Sequence, residues 1–110
     1  MAWINAFNNH LLEDLLALYA EDAVHYSPKL KQRQPETGGW ISGKKALRSW
    51  GADAFKRLPA LHYQLVNLVS ADNLVVLEYI RSVPGEPNMM VAEFLEMNMG
   101  KIIRSRVYHG

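Results

Sequence analysis

Glu78, Glu93 and His109 are the side chains in this sequence best suited by type and setting to move protons. Each falls in an alternating stretch, where successive side chains point to opposite faces. Leu74, Val76, Glu78 and Ile80 share one face and Val75, Leu77, Tyr79 and Arg81 the other. Val91, Glu93, Leu95 and Met97 oppose Met90, Ala92, Phe94 and Glu96 in the next stretch. In the last, Ile103, Ser105, Val107 and His109 oppose Ile102, Arg104, Arg106 and Tyr108. With the apolar faces that hold one ionisable group all turned inward, Glu78, Glu93 and His109 converge on one apolar cavity. A carboxylic acid there loses hydration, its pKa rises, and it can act as acid, base or neutral hydrogen-bond donor. His109, titrating near neutrality, can exchange protons with it or with a ligand. The competing arrangement pairs Glu78 with Arg81, Arg104 or Arg106 on a sheet face that packs against a second subunit.

Other groups are weaker candidates. His25, in Val24-His25-Tyr26-Ser27, leads into a long loop, where either a site residue or a satisfied structural histidine fits. His62 reads as exposed, and His10 as a capping or surface residue beside Asn8-Asn9. No pair of histidines or carboxylates has metal-ligand spacing, so no metal is expected. Gly38-Gly39-Trp40-Ile41-Ser42-Gly43-Lys44-Lys45 approaches a phosphate-loop pattern but lacks the final hydroxyl that holds magnesium and a buried strand before it. No dinucleotide glycine fingerprint or Gly-x-Ser-x-Gly elbow occurs, and no cofactor is expected. There are no cysteines, which removes disulfides, zinc-thiolate sites and thiol nucleophiles.

The elements that position these groups are legible from periodicity. Trp3, Phe7, Leu11, Leu15, Leu18 and Tyr19 recur at spacings of three and four, the mark of an apolar helical stripe, with Asn8-Asn9 as a kink or break. The stripe ends at Glu21-Asp22, and Ala23-Val24-His25-Tyr26 is a short extended stretch closed by Ser27-Pro28. Residues 28–42 read as a long loop of the kind that often binds or covers a ligand. Ser42 is placed to cap a second helix from Gly43 to Arg57. Leu61–Ala71, Leu74–Val83, Met89–Met97 and Lys101–His109 then read as four long strands joined by hairpin turns. Helices followed by a meander predict an α+β fold, with helices across the concave face of a curved, mainly antiparallel sheet. The cone left between them is the natural ligand site.

The 110 residues carry a formal charge of +1 and are 49% hydrophobic, which bounds the chain to one domain over residues 1–110. Residues 1–27 hold four acidic groups and no Lys or Arg, residues 28–57 sum to +6, and residues 58–110 to −1. The basic middle third reads as a solvated loop and helix face; too few aromatics interleave it for base stacking, and no nucleic-acid partner is expected. No apolar run reaches the roughly 18 residues of a membrane span, and the start lacks the features of a signal peptide, so a cytoplasmic protein is expected.

Trp3–Tyr19 with Asn8-Asn9-His10, then Leu18-Tyr19-Ala20-Glu21-Asp22-Ala23-Val24, a proline loop, Gly43 opening a helix, and Val91-Ala92-Glu93…Gly100-Lys101-Ile102…Tyr108 resemble the SnoaL-like branch of the nuclear transport factor two-like superfamily. The resemblance spans almost the whole chain. It implies a cone-shaped α+β barrel, homodimeric through the outer sheet face. It also implies either a polyketide cyclase, ketosteroid isomerase, dehydratase or epoxide hydrolase type of acid–base chemistry, or a binding or dimerisation module without catalysis. The ketosteroid isomerase pattern itself is not kept: its catalytic aspartate falls on Ser27 and its oxyanion tyrosine on Trp3, while its protonated acid falls on Glu93. Glu93, His109 and Glu78 are accordingly the expected proton-handling groups. Trp3, Phe7, Tyr19, Trp40 and Trp50 would form wall and lid, with His25, Tyr26 and Ser27 at the rim. The expected ligand is a small, apolar or weakly anionic molecule.

Overall fold

The computed structural model describes residues 1–109. Two short helices open the chain, α1 (Ala2–Asn8) and α2 (Leu12–Leu16), followed by strand β1 (Tyr19–Tyr26). The break between the helices lies at Asn9 and His10, where His10 takes a left-handed φ of 53°. Asn8 explains why the chain turns here. Its side-chain amide donates to the Tyr63 carbonyl at 2.8 Å and its carbonyl accepts from the Tyr63 N–H at 2.7 Å, so the residue serves another element instead of continuing the helix.

Two expectations are corrected. The helical stripe ends before Tyr19, which opens β1, because Leu18 and Tyr19 follow the α2 C-cap and join the sheet edge-on to Ile102. The segment 28–42 is no unstructured loop. It folds into α3 (Pro28–Arg33), a single 3₁₀ turn at Pro35–Thr37, and strand β2 (Trp40–Ser42). Proline at the first helical position and the Ser27 hydroxyl, which accepts from the Lys29 N–H at 3.2 Å, start α3. Gly39 is required where it stands: its φ is +95°, and an added Cβ would lie 2.6 Å from the Tyr26 ring.

Helix α4 (Lys44–Arg57) is capped by Gly43 and not by the Ser42 hydroxyl. Ser42 pairs with Val24 in the sheet, and the Gly43 N–H donates to the Ala23 carbonyl at 2.8 Å, which ties the helix start to β1. Strands β3 (His62–Ala71), β4 (Leu74–Ser82), β5 (Met89–Asn98) and β6 (Lys101–His109) complete a six-stranded sheet in the order β2-β1-β6-β5-β4-β3. The β1–β6 pair is parallel and every other pair antiparallel, so the sheet is mixed. It is α+β as expected, but the sheet is open, since β2 and β3 stand at opposite edges.

Bulges set which face each side chain meets. Leu65 pairs with Tyr79 and Asn67 with Glu78, leaving Val66 as the extra residue in β3. Glu96 pairs with Arg104 and Met97 with Ile102, leaving Ile103 extra in β6. Bulges bend the strand and add twist. They also reverse the alternation, so buried Ile102 shares a face with buried Ser105 and Val107 while Ile103 is exposed. The core between the helices and this face joins Trp3, Leu15, Leu16, Leu77, Leu95 and Ile102.

Candidate functional site

The register decides what the concave face carries. Leu77, Glu93 and Val107 lie opposite one another across β4, β5 and β6, and Tyr79, Val91 and His109 form the next row. A third row is Leu95 on β5, Ser105 on β6 and His25 on β1. Helices α1, α2 and α4 cover these rows incompletely and leave a cavity of about 340 Å³. That is the low end for small-molecule sites.

Glu93 is its most unusual group, 1% exposed in an apolar wall. The Tyr79 hydroxyl donates to Glu93 Oε1 at 2.9 Å, while Oε2 is buried with no hydrogen-bond partner. Burial pushes the Glu93 carboxyl up to about 8, against the Tyr79 hydrogen bond, which lowers it. The acid is therefore mainly protonated at neutral pH, with a proton to donate. Burial and the neighbouring Glu93 carboxyl likewise raise the Tyr79 phenol well above its ordinary value. Both groups hold their protons, so Tyr79 and Glu93 form a donor pair and not an ion pair.

A second polar string runs beside it. Trp3 Nε1 donates to the Tyr19 hydroxyl at 3.1 Å. His25 Nδ1 shares a hydrogen bond of 2.6 Å with the fully buried Ser105 hydroxyl. Burial lowers His25 to about 4, so it is a neutral imidazole near pH 7. His109 is also lowered, by burial first and then by the nearby Lys29 and Arg81. Aromatic rings complete the wall: the Tyr63 ring lies 4.3 Å from Tyr79 and 4.9 Å from Phe7, and stacks on Trp3 at 5.9 Å.

Of the residues singled out in the sequence, Glu93, His109, Trp3, Phe7, Tyr19, His25, Ser27 and Trp50 line this cavity. Ser27 does so as the cap of α3. Three do not converge there. Glu78 pairs with Ala92 and not with Glu93, so it falls on the convex face, where its Oε1 accepts from Asn67 Nδ2 at 2.8 Å. Trp40 and Tyr26 pair across β2 and β1 on the same convex face, their rings 5.2 Å apart, with the Arg104 guanidinium 5.2 Å over Trp40. The expectation that Glu78 joins Glu93 and that Trp40 and Tyr26 form lid and rim is thereby overturned. Tyr63, Tyr79 and Arg81 line the cavity unforeseen. Leu77 and Tyr79 outweigh Val76 and Glu78 in apolar bulk, and that difference was the available signal for the inward face of β4.

Among the described residues no three His, Cys, Asp or Glu side chains gather in ligating positions.

Residues 1–105 match the sequence profile of the SnoaL-like domain. The chain belongs to the SnoaL-like family. Several solved structures share its fold. A SnoaL-like protein of unknown function from Burkholderia thailandensis is 21% identical, with a TM-score of 0.88 over 99% of this chain and 89% of its own. A Sinorhizobium meliloti protein described as a candidate polyketide cyclase is 16% identical, with a TM-score of 0.80 over 97% of this chain and 90% of its own. A protein of ketosteroid isomerase-like fold from Catenulispora acidiphila, solved with trimethylamine, is 19% identical, with a TM-score of 0.76 over 97% of this chain and 81% of its own. No curated protein matches the SnoaL-like chain in sequence. None of its helices is long and apolar enough to cross a membrane among the described residues.

Proposed function

We propose that this SnoaL-like protein is an acid–base enzyme that moves a proton on the carbon next to a carbonyl of a compact, largely apolar ligand. The observation that carries this reading is the buried Glu93 carboxyl, protonated near neutrality and with one oxygen unpartnered. A neutral acid paired with the Tyr79 hydroxyl is a ready donor to a carbonyl oxygen. Its bond strengthens as negative charge develops there, so it stabilises the enolate-like transition state more than the ground state. His109, uncharged because burial and two cations disfavour its imidazolium, takes the proton from carbon and returns it at the new position. The apolar wall of Trp3, Phe7 and Tyr63 excludes water and strengthens both contacts.

The test does not require the natural substrate. Purified protein is incubated in D₂O with a panel of small aryl and alkyl ketones, and deuterium at the α-carbon is followed by NMR. Exchange should exceed the buffer rate for at least one ketone and fall by about a hundredfold in both Glu93→Ala and His109→Ala, the usual scale for a lost general acid or base. Background exchange with every ketone, or unchanged exchange in both variants, would refute the reading.

One observation favours a second reading, a ligand-binding module without turnover. Ser27 stands where the resemblance puts a catalytic aspartate, and its hydroxyl is engaged in capping α3. Saturable ketone binding with no exchange would select this reading. The convex face, with exposed Val69, Met90, Ile103 and Tyr108, supports a homodimer through that surface. Light scattering that reads a single-chain mass would remove that part of the proposal.

A further inference from the structure

The mouth of the cavity differs in charge from its floor. Arg81 extends the Tyr79 face of β4 by one row and is 8% exposed, although guanidinium groups are seldom buried. Its Nη1 donates to Glu86 Oε1 at 3.1 Å, and among the described residues Glu86 is the one acid that lines this cavity besides Glu93. Lys29, on α3, lines the same cavity and forms no ion pair among the described residues. Arg33 and Arg57 also reach it, but Asp53 meets both, at 3.8 and 2.7 Å. Lys29 and Arg81 against Glu86 thus leave one cation in excess, with Lys29 the unpaired one among the described residues, and both cations lie near enough to His109 to oppose its protonation.

The rows of the sheet give these groups an order. Glu93 lies in the row of Leu77 and Val107, His109 in the next row with Tyr79 and Val91, and Arg81 in the row beyond with Met89. Adjacent same-face rows are about 7 Å apart. His109 therefore stands between a neutral hydrogen-bond donor on the floor and, at the mouth, the unpaired Lys29 beside the Arg81–Glu86 pair, a net positive end.

We propose that the ligand is an oxo acid with an apolar body, its ketone oxygen on Glu93 and its carboxylate on Arg81 and Lys29. The carbons between the two oxygens then pass His109. Charge-assisted hydrogen bonds to a carboxylate are about twice as strong as neutral ones, and the partly enclosed mouth limits screening by salt. This inference rests on the carbonyl reading for the floor of the cavity but makes a separate demand, a preference for negative charge at the mouth.

Three probes of one shape separate the demands: 4-oxo-4-phenylbutanoate, its neutral methyl ester, and the analogue with trimethylammonium in place of carboxylate. Dissociation constants come from tryptophan fluorescence, and α-deuteration is followed on the same samples. The carboxylate should bind at least about tenfold more tightly than the ester, and the ammonium compound more weakly than either. Lys29→Gln should remove at least about threefold of that preference, and Arg81→Gln more, with the ester's affinity kept in Lys29→Gln. Equal binding of carboxylate and ester, or tightest binding of the ammonium compound, overturns the proposal. So does an unchanged preference in Lys29→Gln, a substitution at a partly exposed helix position that leaves the core intact. Carboxylate preference without deuteration would sink the enzymatic reading alone. Deuteration without carboxylate preference would sink only the oxo acid.

Discussion

Glu78 and Glu93 are glutamates on adjacent strands, one residue out of phase. Leu77 lies opposite Glu93, so Glu78 lies opposite Ala92 and points the other way. On the concave face, Glu93 is walled in by Trp3, Tyr63 and Tyr79 and becomes a neutral acid. On the convex face, Glu78 meets only the Asn67 amide, in a half-open setting. The convex face nevertheless has aromatic and ionic contacts of its own. Phe94, Arg106, Tyr26 and Trp40 lie in one row across four strands, and Arg106 pairs with Glu96 while stacking 5.4 Å over Phe94. The difference lies in enclosure: the helices cover one face and leave the other in water, and desolvation is what turns a carboxylate into a proton donor.

The contrast is sharpest for two tyrosines. Tyr79 lies in the core and holds Glu93, whereas Tyr108 is 47% exposed on the convex face. Tyr79→Ala should cost about 3–5 kcal/mol in urea unfolding, since it opens a cavity and strips the carboxyl of its partner. Tyr108→Ala should cost less than about 1 kcal/mol. Similar losses at the two positions would break the distinction between the faces.

A smaller effect concerns pH. Glu93 is raised to about 8 from 4.5, so the folded state binds this proton more tightly than the unfolded chain and its contribution declines from pH 4.5 up to about 8. His25 is lowered to about 4 from 6.5, so its contribution is present above 6.5 and is lost as pH falls towards 4. The two slopes offset between about 4.5 and 6.5. Above 6.5 Glu93 acts alone, and stability should fall by about 2 kcal/mol by pH 8. Glu93→Gln should flatten that decline in urea titrations at the two pH values, and an undiminished slope in the variant would assign it elsewhere. Glu78→Gln gives the smallest effect of the set, within about 0.5 kcal/mol at either pH, with ketone exchange unaltered. A larger loss would mean that the convex glutamate has a role the exposed Asn67 contact does not explain.

The ranges of the four C-terminal strands were legible almost to the residue, because long apolar runs stand between Asp72-Asn73, Pro84 to Pro87 and Met99-Gly100. The helix break at Asn8-Asn9 was legible too, from residues whose amides compete with backbone hydrogen bonds. Strand faces were harder. Both faces of β4 carry one ionisable group, Glu78 or Arg81, so counting such groups could not choose between them. The larger apolar side chains of Leu77 and Tyr79 pointed the right way, and the pairing of Leu77 with Glu93 fixes it. The phase of β6 was hidden by the bulge at Ile103, which sequence alternation carries straight through. Residues 28–42 read as a loop because two prolines and two glycines punctuate them. Their order comes from Ser27 capping α3 and from tertiary pairing of β2 with β1, which no local propensity encodes.

The most direct measurement is a ¹³C NMR titration of the glutamate side-chain carboxyls between pH 3 and 10. One carboxyl should titrate near 8 and be missing from the Glu93→Gln spectrum. A spectrum in which Glu93 deprotonates in the usual carboxylate range, near 4.3, would leave a charged group at the floor of the cavity and contradict its role as a neutral donor.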